Sequence, residues 1–310
     1  MNERPHKKPL CFNIFHKKDS IYLIIPFRQA TEPNLAQLHL TYDGQPLQTK
    51  KSRLKHSYEP ISILEYDLPS TRNVNQIIIS YQGNRVEITL ERENIKHAPD
   101  KLSLTTLFKK DFHLVDRFYD YYLSQGVEQF YLYYNGIITD SVAKVCDKNE
   151  ITLIEWNYSY WNDSSREFRH HAQMGQMHDA LYRYGKGNFE YMIFCDLDEY
   201  LHIPSDTLMN FIQNNDYDKI GFLNHWATDF QEYQSVSVSN TFKISEPLPF
   251  PRKAKCIYKV ESVELLGIHD STLSLNYGSE ITSFMNLHFY NWSGKGRRIP
   301  SEMDRIFEIR

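Results

Sequence analysis

Asp196, Asp198 and Glu199 end the apolar run Phe189-Glu190-Tyr191-Met192-Ile193-Phe194-Cys195 and are spaced as D-x-D-E. A buried strand excludes charge from its interior, so carboxylates gathered at its carboxyl end are best explained by a cation that needs them. Aspartates two positions apart share one face of a straight strand, or converge in the turn that follows one. Hard divalent ions such as Mg²⁺ or Mn²⁺ take oxygen ligands and keep positions open for phosphates. Asp196 and Asp198 are therefore candidate metal ligands. The competing reading has these acids capping a turn or facing solvent.

The elements needed to hold such a turn can be read from residue 100 onward. Leu102 to Phe108 reads as a strand, and Phe112, Val115, Phe118, Tyr119 and Tyr122 form the apolar face of a helix that stops at Gly126. Gln129 to Tyr134, ending in Asn135-Gly136, and Ile151 to Trp156 are two further strands. Strands separated by helical segments predict a mostly parallel sheet, whose ligands sit at the carboxyl ends of its strands. Ser164-x-x-Glu167 is a capping box that starts the next helix, with His170, Met174, Met177, Ala180, Leu181 and Tyr184 on its periodic face. Gln173 falls on that face, and its amide needs a partner. Thr207 to Ile212 suggests a short helix; Lys219 to Trp226 and Lys255 to Val260 suggest strands on either side of a Pro-rich loop at 246–251.

Residues 20 to 95 follow a different grammar. Ile21 to Ile25, Leu38 to Tyr42, Ile61 to Tyr66, Ile77 to Tyr81 and Val86 to Leu90 read as strands, the last two flanking the turn Gln82-Gly83-Asn84. The expectation is a small β-sandwich-like domain over 1–98, in a support or protein-contact role, ahead of an α/β domain over 99–310.

Composition narrows the class. With 35 Lys+Arg against 39 Asp+Glu, the chain is neither a basic nucleic-acid clamp nor an acidic disordered tail. Its four cysteines form no C-x-x-C, which fits a reducing compartment. No apolar run approaches the roughly 18 residues of a membrane span. The basic, aromatic start, with Arg4, Lys7, Lys8 and then Phe12 and Phe15, reads as a frayed terminus or as a peripheral membrane contact.

The DxDE segment, from Phe189 through Tyr200-Leu201, resembles that of GT-A glycosyltransferases, particularly glycosyltransferase family 92 and family 2-like enzymes. Leu104 to Phe108 with the following helix and strand resembles the family's opening βαβ unit, and Gln173-x-x-Gln176-x-His178-Asp179 is similar to its helix before the DxD motif. Lys253-x-Lys255-Cys256-Ile257 with Gly267-Ile268-His269, and Leu287-His288-Phe289-Tyr290, look like its two late histidine segments.

The resemblance covers about residues 100 to 298 and implies a GT-A fold: a Rossmann-like mixed sheet flanked by helices. It implies a metal-dependent hexosyltransferase, with galactose and a UDP-linked donor as the family-led choices. Mn²⁺ or Mg²⁺ would be bound by Asp198 with a late histidine, His288 or His269, while Asp196 faces the donor. Tyr134, Asn135 and Gln173 would lie on the donor side. Lys295, Arg297 or Arg298, in the glycine-punctuated segment after His288, are candidates to clamp the diphosphate, or else belong to a solvated loop. An inverting reaction needs a carboxylate base, for which Asp229, beside the acceptor platform expected at Trp226, competes with Asp270 and Glu280. The expected partners are a nucleotide sugar and a glycan or glycolipid acceptor, with no nucleic acid; a homodimer stays open. The expected setting is cytoplasmic, at the inner face of a membrane, in lipopolysaccharide or surface-glycan synthesis. A Mg²⁺-dependent nucleotidyltransferase or phosphohydrolase, and a lectin-like binder, are the alternatives.

Overall fold

The computed structural model describes residues 10–26, 37–55, 61–68, 76–90, 93, 100–160, 171–204, 206–229, 242–249, 252–269, 284–289 and 307–309. The chain divides into two compact units. One comprises 1–99, 157–188 and 264–266, the other 100–156, 189–263 and 267–310. Four α-helices occur among the described residues: α1 (Val115–Ser124), α2 (Asp140–Val145), α3 (His171–Asp179) and α4 (Leu208–Asn214). None is long and apolar enough to cross a membrane.

The first unit holds β1 (Asn13–Lys17), β2 (Ser20–Pro26), β3 (His39–Tyr42), β4 (Gln45–Pro46), β5 (Thr49–Lys55), β6 (Ile61–Asp67), β7 (Gln76–Tyr81) and β8 (Asn84–Thr89). They form two four-stranded antiparallel sheets, β1-β2-β6-β5 and β4-β3-β7-β8. Alternate residues of both sheets meet in one core: Ile21, Leu23 and Ile25 with Leu64 and Tyr66 from one, Leu40, Ile77 and Ile79 from the other. Gln82 and Gly83, both at positive φ, make the two-residue β7–β8 turn. Three strands, β1, β4 and β5, depart from the sequence expectation. β5 carries Lys50, Lys51, Arg53 and Lys55 and pairs with β6 because Glu65 receives Arg53 at 2.9 Å and Lys50 at 3.4 Å. β1 lies where the basic start was expected, and Phe12 and Phe15 are buried, so these rings are not offered to a membrane surface.

Helix α3 also belongs to the first unit and continues as a wide π turn over Ala180–Gly185. An amphipathic face was expected, yet residues 172–182 are all buried. Small residues explain how this is possible: Phe12 packs directly on Gly175. His178 is held at both ring nitrogens, Nδ1 by the Met174 carbonyl at 2.8 Å and Nε2 by the Leu266 N–H at 3.0 Å. The capping box Ser164 to Glu167 and His170 lie outside the described residues.

The second unit is built on a ten-stranded mixed sheet. Its strands are β9 (Asp100–Phe108), β10 (Gln129–Tyr134), β11 (Ile151–Glu155), β12 (Phe189–Phe194), β13 (Glu199–His202), β14 (Lys219–Asp229), β15 (Phe242–Ile244), β16 (Lys255–Lys259), β17 (Met285–Phe289) and β18 (Phe307–Ile309). The neighbours β11-β10-β9-β12 are all parallel. The chain moves outward from β9 to β11, then returns to the other side of β9 as β12. Such a reversal opens a crevice at the strands' carboxyl ends. The sheet continues through antiparallel β16 and β14; β17 then runs parallel to β14 and antiparallel to β13. Helix α1 buries Val115, Phe118, Tyr121 and Tyr122 in the core shared with β9, β10 and β12. Just past it, Gly126 takes φ 91°, a left-handed value that releases the chain into β10.

Candidate active site

Strand β12 ends at Phe194, and Asp196-Leu197-Asp198 turns the chain into β13. The Glu199 N–H donates to the Asp196 carbonyl at 3.1 Å, and Leu197, buried in the core, anchors the turn between its two aspartates. From below, the fully buried Tyr122 hydroxyl donates to the Glu199 carbonyl and accepts from the Leu201 N–H, each at 3.0 Å.

The turn's charges are met by a buried lysine. Lys255 Nζ lies 3.1 Å from Asp196 Oδ2 and 3.0 Å from Glu199 Oε2, and that same Glu199 oxygen accepts the Asp196 N–H at 2.9 Å. Burial by itself would lower the Lys255 pKa. The Asp196 and Glu199 carboxylates outweigh it and hold the ammonium above its ordinary value, so the group remains charged.

Strand β17 brings the histidine. Register pairs Glu199 with His288 on one side of β17 and Trp226 with His288 on the other. His288 Nε2 lies 3.7 Å from Asp198 Oδ2. Its Nδ1 lies 3.1 Å from Asn224 Oδ1 and 3.4 Å from Glu199 Oε1. Two oxygens facing Nδ1 favour a proton there and leave the Nε2 lone pair on the Asp198 side. A carboxylate oxygen and an imidazole nitrogen side by side suit Mn²⁺, so the donor set fits a divalent ion. Among the described residues no third His, Cys, Asp or Glu completes a metal-binding group with them. Any ion held there would take its remaining ligands from water or substrate oxygens.

The other sequence candidates are placed as follows. Asp196 keeps its side chain 38% exposed beside the Lys255 contact. Tyr134 and Asn135 stand at the carboxyl end of β10, in register with the end of β9 at Phe108. Asn135 is buried, its side-chain amide donating to the Trp156 carbonyl at 2.8 Å, while Tyr134 is half-buried against Phe108. Gln173 belongs to the first unit, where Tyr160 donates to its Oε1 at 3.0 Å and supplies the expected partner. His269 is half-buried in the irregular stretch after β16. Asp229 is the last residue of β14, where its backbone pairs with Phe242. Asp270, Glu280, Lys295, Arg297 and Arg298 lie outside the described residues.

Trp226 differs from the open stacking platform expected of it. It is 8% exposed, with the His288 ring 4.5 Å away and Lys253 Nζ 4.8 Å over its face. The indole walls the histidine in. Sequence reading assigned no role to Glu199, Asn224 or Lys255. The available signal was a lysine opening the apolar strand Lys255-Cys256-Ile257-Tyr258, which requires a buried counter-charge.

A sequence profile of glycosyltransferase family 92 matches residues 103–300, most of the chain. The chain belongs to glycosyltransferase family 92. It is a glycosyltransferase, and the phosphoryl-transfer and lectin alternatives give way to that assignment. No curated protein matches it significantly. Among solved structures, the bifunctional glycosyltransferase WbbM in its apo form is similar at 7% identity with a TM-score of 0.28. That likeness spans 47% of this chain and 26% of WbbM, so the chain covers about a quarter of its neighbour's length.

Proposed function

We propose that this family 92 enzyme has a GT-A catalytic unit and transfers a hexose, with galactose favoured, from a UDP-linked donor to a glycan or glycolipid hydroxyl with inversion. The observation that carries the reading is the Asp198–His288 pair, 3.7 Å apart at the end of a parallel strand with the far nitrogen of the imidazole already engaged. Asp198 and His288 would hold Mn²⁺ or Mg²⁺, which would neutralise charge on the departing diphosphate. Asp196, partly open, is the carboxylate offered to the donor's ribose, and Tyr134 with Asn135 mark the end of β10, two strands along the sheet, where the base would lie. Asp229 is the proposed general base, with Asp270 and Glu280 as its rivals, and Lys295 with Arg297 or Arg298 would close on the phosphates. A cytoplasmic site at a membrane face, in surface-glycan assembly, is the setting that this acceptor class suggests.

Titration calorimetry of UDP with and without Mn²⁺ tests the reading. Native protein should bind UDP tightly only with the metal, and Asp198→Ala should lose that dependence. Equal UDP affinity in a chelator, or an unaltered metal effect in Asp198→Ala, would overturn it. Proton NMR of the product decides the mechanism, because a retained anomeric configuration excludes single displacement.

A further inference from the structure

We propose that Glu199, anchored by Lys255, is a positioning residue that sets the tautomer of His288 and so presents its Nε2 to the metal. The inference rests on the metal reading of Asp198 and His288 and goes beyond it, because it concerns residues that touch neither ion nor substrate.

The two carboxylate oxygens of Glu199 have separate partners. Oε2 takes the Lys255 ammonium at 3.0 Å and the Asp196 N–H at 2.9 Å. Oε1 faces His288 Nδ1 and Asn286 Nδ2, each at 3.4 Å. Glu199 is 1% exposed and Lys255 2%, so water does not stand in for any of these groups. The Lys255 ammonium fixed against the carboxylate offsets the cost of burying it there. An anion accepts and cannot donate, so next to Nδ1 it favours the tautomer with the proton on Nδ1. Asn224 Oδ1, at 3.1 Å from the same nitrogen, acts in the same sense. Asp198 Oδ2 faces Nε2 from 3.7 Å, beyond hydrogen-bond reach, whereas Nδ1 has acceptors at 3.1 and 3.4 Å, so the proton goes to Nδ1 and the lone pair is left on Nε2.

Four strands contribute to the arrangement: Lys255 from β16, Glu199 from β13, His288 from β17 and Asn224 from β14. A purely structural ion pair would hold the turn without any preference for the imidazole proton. The tautomer therefore separates the two roles.

The test uses the full-length protein labelled with ¹⁵N-histidine, first without metal, reading the His288 ring nitrogens by NMR. In Glu199→Gln the side-chain NH₂ can face Nδ1 as a donor, so His288 should shift toward the Nε2–H form. Mn²⁺ affinity, read by electron paramagnetic resonance, should fall about tenfold to a hundredfold, the usual effect of losing an outer-shell partner. Glu199→Asp keeps the charge while drawing the carboxylate back from Nδ1, and should fall between the two; it also serves if the glutamine variant does not fold. A folded variant whose His288 keeps Nδ1–H overturns the proposal and leaves the metal reading intact. A shifted tautomer with undiminished Mn²⁺ affinity, in that variant and in His288→Ala alike, overturns the metal role of His288 and the positioning role with it.

Discussion

A lysine closed into a sheet is destabilising by several kcal/mol unless anions meet it. Lys255 meets two, and they belong to the turn that carries the metal candidate Asp198. Burial of charge here coincides with the candidate site, so replacing either partner of Lys255 would leave a buried charge uncompensated. Tyr122 shows the same economy without charge. Its hydroxyl serves the Glu199 carbonyl and the Leu201 N–H, and Tyr122→Phe leaves both unpaired in the core. A loss of about 2 kcal/mol is expected in urea denaturation, from the penalty for stranded buried polar groups. An unchanged midpoint would show that β13 finds another partner. Asp196 and Asp198 were legible at this scale because local spacing and an apolar run suffice to mark them. Asn224 and Lys255 were not, because no spacing along the chain relates residues on different strands.

At the scale of elements, β9, β10, β11, β12, β14 and β16 could be read from apolar runs, and α1 from its period and its stop at Gly126. Strands whose faces are charged escaped, since the cations of β5 are met by acids distant in sequence: Glu65 and Asp67 face Lys50, Glu264 faces Lys51, and Glu65 and Glu264 face Arg53. Strand β13 escaped for the opposite reason: its first residue is the last acid of the motif, and its pairing is with β17, far along the chain. Helix α3 was legible as a helix, but its periodicity gave no sign that every side would be covered. Gly126 offers the sharpest elemental test. A Cβ there would sit 2.4 Å from Met209 Cβ, on a backbone with φ 91°. Gly126→Ala should cost about 1–2 kcal/mol for the left-handed conformation, and more for displacing Met209. Gly175→Ala should destabilise the first unit, because its Cβ meets the Phe12 ring at 2.4 Å; an overpacked contact of this kind costs about 1–3 kcal/mol. A variant at either position with native urea stability would refute the packing on which the estimate rests.

For the whole molecule, acid should act in two stages. His202 and His225 both have their pKa lowered by burial from 6.5, so the folded form keeps them neutral while the unfolded chain takes up protons. Stability is then fully present above about pH 6.5 and declines as the pH falls through that value. Glu65 would have its pKa raised by burial, but Arg53 and Lys50 outweigh it and lower it below 4.5. Its contribution is present above pH 4.5 and lost as the pH falls toward the depressed value. Urea midpoints should hold from pH 8 to about pH 6.5 and fall from there to pH 4, more steeply below 4.5, and His225→Gln should flatten part of the upper stage. A maximum near pH 5 would contradict the histidine assignments, and no loss below pH 4.5 would contradict that of Glu65.

Strand β17 lies between β13 and β14, although both precede it in sequence, and 87 residues separate Asn286 from its contact at Glu199. A polypeptide emerging from the ribosome can form the DxD turn long before His288 exists to face it. The loop that must close is long, and closing it late makes this corner of the sheet slow to assemble. A nascent chain would therefore carry the acids without the imidazole and should hold Mn²⁺ weakly until β17 inserts. Stalled nascent chains ending before and after residue 289 would show the change as a step in metal affinity. A graded rise would mean that the acids alone make the site.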